Sequence, residues 1–113
     1  MTSDCVFCKI AKREINAELV FSDENFVVFK DVKPLYPVHL LIVPKKHIDC
    51  VNDVVEDDGA FMGNIFFIAS QLAKQFNVDK SGYRLVVNTN SDAGQVVRHF
   101  HMHFLAGEPL NGL

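Results

Sequence analysis

The segment His99-Phe100-His101-Met102-His103-Phe104-Leu105 constrains the fold more than any other part of the chain. Imidazole and apolar side chains alternate there. In a strand, successive side chains point to opposite faces, so residues two apart lie on one face at about 6.6 Å intervals. The three histidines therefore line one face of the final strand, expected over residues 97–105. Phe100, Met102 and Phe104 enter a core on the other. A half-buried strand carrying histidine on its polar face by chance is a poor account, since three of the five histidines fall within five residues. Two chemical readings remain. Histidine pairs on a strand suit zinc or copper. They also suit phosphate chemistry, because neutral imidazole is both nucleophile and hydrogen-bond donor near pH 7.

The strand needs a sheet to join. Leu19-Val20-Phe21 and Phe26-Val27-Val28-Phe29 flank the polar Ser22-Asp23-Glu24-Asn25 and read as a hairpin. Pro34 and Pro37 make a loop. Val38–Val43 is an apolar run ended by Pro44, the pattern of a strand buried on both faces, with His39 inside it. Tyr83–Asn88 is a further strand, and Ser91–Gly94 a turn. One long helix is expected over 59–77, with Phe61, Ile65, Ile68, Leu72 and Phe76 on one face and Met62, Phe66, Ala69 and Ala73 beside it. That stripe is wider than one small sheet requires, which points to a homodimer. A short helix over 6–13, capped by Asp4, places Phe7, Ile10 and Ala11 on one face. The sum is an α+β fold with a mainly antiparallel five-stranded sheet, in a single domain spanning 1–113.

Composition narrows the function classes. Eleven basic against 14 acidic residues give a net charge of −3, which removes the usual electrostatic driver of nucleic-acid binding. No apolar run approaches the ~20 residues that span a bilayer. The start, Met1-Thr2-Ser3-Asp4-Cys5, lacks the basic and apolar regions of a signal peptide, so a cytoplasmic protein is expected, with no membrane and no nucleic-acid partner. Three cysteines in a reducing compartment do not make a disulfide framework. Cys5-x-x-Cys8 is half of a tetrahedral zinc site, with His47 and one triad histidine as the missing half. Plain thiols and a redox dithiol are the rivals. Cys50 reads as a small apolar residue.

Other residues gain meaning beside the triad. Gly94 allows backbone N–H groups of Gln95 and Val96 to approach an anion, although a turn glycine looks the same. Asn88 at a strand end suits a sugar or phosphate, or merely a turn. Asp31 suits ribose hydroxyls, with Phe29 or Val32 against a base. His39 is a buried structural histidine or a support for the triad. Lys45-Lys46 reads as a solvated strand end in preference to a substrate clamp.

On these residues the sequence resembles the histidine triad family, whose signature alternates histidine and apolar residues as 99–105 do. The likeness extends through the hairpin, Asp31-Val32-Lys33-Pro34, Pro37-Val38-His39, Pro44-Lys45-Lys46-His47-Ile48, Leu85-Val86-Val87-Asn88 and Gly94-Gln95. It is strongest to the nucleotide-binding branch. The resemblance implies an α+β homodimer whose sheet continues across the dimer, binding purine nucleotides such as AMP. It implies His101 as nucleophile at the α-phosphorus, assisted by His103 and His39, and hydrolysis through a nucleotidyl-histidine. The substrates implied are nucleoside phosphoramidates or acyl-nucleotides. Dinucleoside polyphosphates, or nucleotide or zinc-dependent binding without catalysis, are the alternatives. Phe7, Ile10, Phe29 and Val32 would line the base pocket and Asp31 would hold the ribose. Asn88, Gly94, Gln95 and Val96 would contact the phosphate region. Some bacterial members hold structural zinc through residues matching Cys5, Cys8, His47 and His99. No catalytic metal is expected.

The sequence departs from the family at Val96, where serine is common, and at Arg98, where an aromatic is common. Ala106-Gly107-Glu108 replaces a common Gly-Gly-Arg, and the tail after Pro109 is short.

Overall fold

A computed structural model describes residues 4–112. Its secondary structure runs α1 (Val6–Ala11), β1 (Leu19–Ser22), β2 (Phe26–Lys30), β3 (Val38–Pro44), α2 (Gly59–Met62), α3 (Asn64–Gln75), β4 (Tyr83–Val86) and β5 (Met102–Ala106), with short 3₁₀ turns between. The strands form one antiparallel sheet in the order β1-β2-β3-β5-β4. The α+β architecture expected from the sequence is therefore present.

The continuous apolar runs follow from cover on both faces. Phe26 and Val28 of β2, Leu40 and Ile42 of β3, and Met102, Phe104 and Ala106 of β5 pack on Ile65, Ile68, Ala69, Leu72 and Ala73 of α3. The alternate residues Val27, Phe29, Leu41 and Val43 pack on Phe7 and Ile10 of α1. In the hairpin, the Asp23 side chain accepts hydrogen bonds from the backbone N–H groups of Asn25 and Phe26 and so closes the turn.

Several boundaries differ from those expected. The last strand begins at Met102, not residue 97. Residues 97–101 leave the ladder because the buried His99 turns its ring toward Cys5 and Cys8, while Phe100 N–H bonds to the Ile48 carbonyl. The long helix is interrupted at Gly63, a residue that weakens a helix interior, although its apolar stripe continues across the break. Of the second stripe, Ala69 and Ala73 are buried, whereas Phe66 is exposed beside Phe67. The first helix ends at Ala11, and its N-cap is Cys5 instead of Asp4: the Cys5 sulfur accepts the Cys8 N–H at 3.4 Å. β4 stops at Val86, two residues early, leaving Asn88 in the loop that reaches the site.

Candidate active site

The β3–β5 register places Leu41 opposite His103 and His39 opposite Leu105. His39 and His103 are therefore diagonal neighbours on the sheet face away from α3. Beside them, α1, the end of β2 and the loop after β4 enclose a cleft of about 480 Å³. Phe7, Ile10, Phe29, Asp31, Val32, Asn88, Gly94, Val96, His101 and His103 all line it. These positions are scattered from residue 7 to residue 103, yet the fold brings them to one place. A larger hollow of about 730 Å³ lies between the C-terminal end of α3, β4 and residues 107–110, but none of the histidines lines it.

The hydrogen bonds assign the imidazole tautomers. His101 Nδ1 lies 2.7 Å from the His99 carbonyl, which can only accept, so Nδ1 carries a proton and, in the neutral imidazole, Nε2 keeps the lone pair. Among the described residues nothing bonds that Nε2, and no buried side-chain nitrogen lacks a partner, so Nε2 is open to the cleft. Phe7 holds the ring edge-on at 5.1 Å. His103 lies beside His101, ring centres 5.1 Å apart, and its Nδ1 is 3.0 Å from His39 Nε2. His39 Nε2 is also 3.3 Å from an Asp31 carboxylate oxygen. The other Asp31 oxygen accepts the Lys33 N–H and shapes the following loop.

Burial, and then the neighbouring imidazoles of His101 and His39, push the His103 pKa down from 6.5 to about 4. Burial also lowers His39, against the opposing pull of Asp31. Both rings are thus neutral at pH 7. The unfolded chain binds protons between pH 6.5 and 4 that the folded His103 refuses, so folding stability is full above about pH 6.5 and declines as pH falls toward 4. Urea unfolding midpoints should accordingly drop between pH 7 and pH 4.5, with a shallower drop in His103→Gln. Parallel curves for the two proteins would refute this assignment.

Four further side chains meet behind the cleft. Cys5 Sγ is 3.2 Å from His99 Nδ1; Cys8 Sγ is 3.4 Å from His47 Nδ1 and 3.5 Å from His99 Nδ1. His99 Nε2 donates to the Pro44 carbonyl at 2.7 Å, and His47 Nε2 meets the Asp49 carboxylate at 2.7 Å. Both rings therefore aim an Nδ1 lone pair at the sulfurs. All four donor atoms lie within 4.8 Å of one another.

Two expected site residues do not line the cleft: His39, which stands behind His103, and Gln95. The Gln95 amide NH₂ donates to the Asp49 and Val97 carbonyls, and its oxygen accepts from Asn90 N–H and Arg98. The side chain holds the loop that carries Gly94, whose φ of +81° is a left-handed conformation that favours glycine. Arg98, tied to Asn90 and Gln95, lies outside the cleft as well. Lys46 pairs at 2.6 Å with the buried Asp58 and anchors the chain after β3. Sequence reasoning missed the segment Ile15-Asn16-Ala17, which completes the cleft wall. It lies between elements and carries no periodic or motif signal.

Comparison with known proteins fits this geometry. The family described as "Scavenger mRNA decapping enzyme C-term binding" matches residues 4–110. A HIT family hydrolase from Legionella pneumophila Philadelphia 1 superposes with a TM-score of 0.92 at 48% identity, covering 95% of this chain and 96% of that one. A histidine triad protein from Clostridium difficile gives a TM-score of 0.95 at 39% identity, covering 98% and 96%. The chain belongs to the histidine triad family. The purine nucleoside phosphoramidase of Escherichia coli (strain K12) is 40% identical over 110 residues, 97% of this chain and 92% of that protein. Among the described residues, no helix is long and apolar enough to cross a membrane.

Proposed function

We propose that this histidine triad protein hydrolyses purine nucleotide conjugates and releases a nucleoside monophosphate such as AMP. The observation that carries the reading is the tautomer of His101: its proton is held by the His99 carbonyl, leaving the Nε2 lone pair at the cleft beside His103. Apolar walls from Phe7, Ile10 and Phe29 suit a base, and the Asp31 carboxylate suits ribose hydroxyls. The relationship to a purine nucleoside phosphoramidase supports the substrate class.

In this reading His101 Nε2 attacks the α-phosphorus and the bond to the leaving group breaks. Water then adds to phosphorus, releases the monophosphate and regenerates the imidazole. His103 stabilises the non-bridging oxygens by hydrogen bonding. Val96, 87% exposed at the cleft, has no proton for a departing amine. A departing amine takes its proton from solvent water at the open cleft, whereas a departing carboxylate needs none, so acyl-nucleotides are substrates alongside phosphoramidates.

Intact-mass analysis of protein mixed with adenosine 5′-phosphoramidate, quenched in denaturant that preserves phosphohistidine, tests the reading. An adenylyl adduct on His101 with AMP released over time is expected. Silence with the phosphoramidate, acyl-adenylates and dinucleoside polyphosphates alike, despite AMP binding, would leave a binding protein.

Cys5, Cys8, His47 and His99 fit zinc. Tetrahedral Zn–S and Zn–N bonds set donor separations of about 3.6 Å, near the 3.2–3.5 Å found here. The Asp49 carboxylate and the Pro44 carbonyl supply the outer partners that orient such histidines. When bound, the ion cross-links α1 to the end of β3 and to the segment before β5. We also propose a homodimer through the exposed Phe66–Phe67 face of α3, with the sheet continued across it; elution of the same sample as a monomer at micromolar concentration would exclude it.

A further inference from the structure

The loop between β2 and β3, residues 31–37, contributes something that no side chain of the triad supplies. The backbone N–H of Leu35 donates to His39 Nδ1 at 3.1 Å. A nitrogen that accepts a hydrogen bond from an amide is unprotonated. Neutral His39 must then carry its proton on Nε2. That nitrogen faces two acceptors, His103 Nδ1 at 3.0 Å and Asp31 Oδ2 at 3.3 Å. His103 Nδ1, accepting in turn, is unprotonated, and the His103 proton sits on Nε2. Like His101 Nε2, this nitrogen has no partner among the described residues, and its ring lines the cleft.

We infer that the Leu35 backbone amide is a positioning group: through His39 it sets the tautomer of His103, so that His103 presents an N–H, and not a lone pair, beside the His101 nucleophile. Two adjacent imidazoles thereby acquire opposite characters from two backbone groups. The His99 carbonyl makes His101 an acceptor toward the cleft, and the Leu35 amide makes His103 a donor. Without the Leu35 contact, His39 could protonate either nitrogen. An Nδ1-protonated His39 would turn a lone pair toward His103, draw the His103 proton to Nδ1, and set two lone pairs against a phosphate. The burial of His39 supports the scheme, because a ring kept neutral needs its tautomer specified. The same hydrogen bonds disfavour a cation among Asp31, His39 and His103, although their donor atoms are close enough to chelate one. A metal on His39 Nε2 would require an imidazolate while Nδ1 accepts from Leu35. The part this donor plays in turnover rests on the hydrolase reading above.

The test is imidazole ¹⁵N NMR on the full chain with labelled histidine and leucine, without substrate. His39 and His103 should both be Nε2-protonated, and a coupling across the N–H···N bond should join Leu35 N to His39 Nδ1. Leu35→Pro removes that N–H, at a position that is 74% exposed. It should give mixed tautomers at both rings and lower kcat at least tenfold with a smaller change in KM. Leu35→Ala, which keeps the N–H, should restore the wild-type tautomer pattern. An Nδ1-protonated His39 in the wild type, or unchanged tautomers in Leu35→Pro, would overturn the inference. If Leu35→Pro does not fold, the wild-type coupling and tautomers decide it alone. Because they are read without substrate, a protein that shows them but turns nothing over sinks the hydrolase reading and leaves this one standing.

Discussion

His101→Ala should abolish turnover while leaving nucleotide bound. A nucleophile that forms a covalent intermediate has no substitute, and its removal costs at least about 10⁴-fold in kcat. The binding walls lie in Phe7, Ile10, Phe29 and Asp31, and the first three are held in the cluster with Val27, Leu41 and Val43. Affinity for AMP, measured by calorimetry, should change by no more than about threefold. The adenylyl adduct should vanish from the mass spectrum together with AMP release. Turnover within tenfold of wild type would remove His101 from the role of nucleophile. His103→Gln offers a contrast: it keeps an amide donor and should retain part of the rate.

The second large effect concerns the Cys5, Cys8, His47 and His99 cluster. Cross-linking by a metal binds the folded state and not the unfolded chain, so its binding free energy is stability. An ion held at 1,000 times its Kd adds about 4 kcal/mol. For a chain of 113 residues that amounts to roughly 15 °C in Tm. Chelator treatment, or Cys8→Ser, should therefore lower Tm by about that much, and inductively coupled plasma mass spectrometry should find one zinc per chain before treatment and none after. The consequences should reach the cleft. Phe7 and Ile10 stand on α1, whose N-cap is Cys5, and the His99 carbonyl is the group that holds His101. AMP affinity should weaken on chelation even though none of the four donors lines the cleft. A Tm unchanged by chelation would show that the four side chains do not hold a metal that matters to the fold.

Much of this was legible in the order of residues. The apolar runs at 26–29 and 38–43, the polar turn at 22–25 and the stripe Phe61, Ile65, Ile68, Leu72, Phe76 are local patterns with a local cause. Side-chain periodicity reports which face of an element is dry, and so the sheet and its covering helix could be read directly. Less legible were the ends of elements. His99 and His101 continue the alternation perfectly, yet they stand outside β5, because a contact with Cys5 and Cys8, more than ninety positions away, draws His99 out of the ladder. Asp4 is a better capping residue than Cys5 by propensity, yet Cys5 occupies the cap.

The α+β class, the strand and helix content, and the histidines, cysteines and carboxylate that could do chemistry are all readable from residue order, because each depends on residue type and short spacing. Folding in three dimensions is what gives each ring nitrogen its hydrogen-bond partner, turns Gln95 to brace a loop instead of lining the cleft, and brings the Leu35 N–H to His39. Those outcomes depend on hydrogen bonds between segments far apart in the chain. A backbone N–H or carbonyl is the same at every position, so no residue letter announces which one will face a histidine.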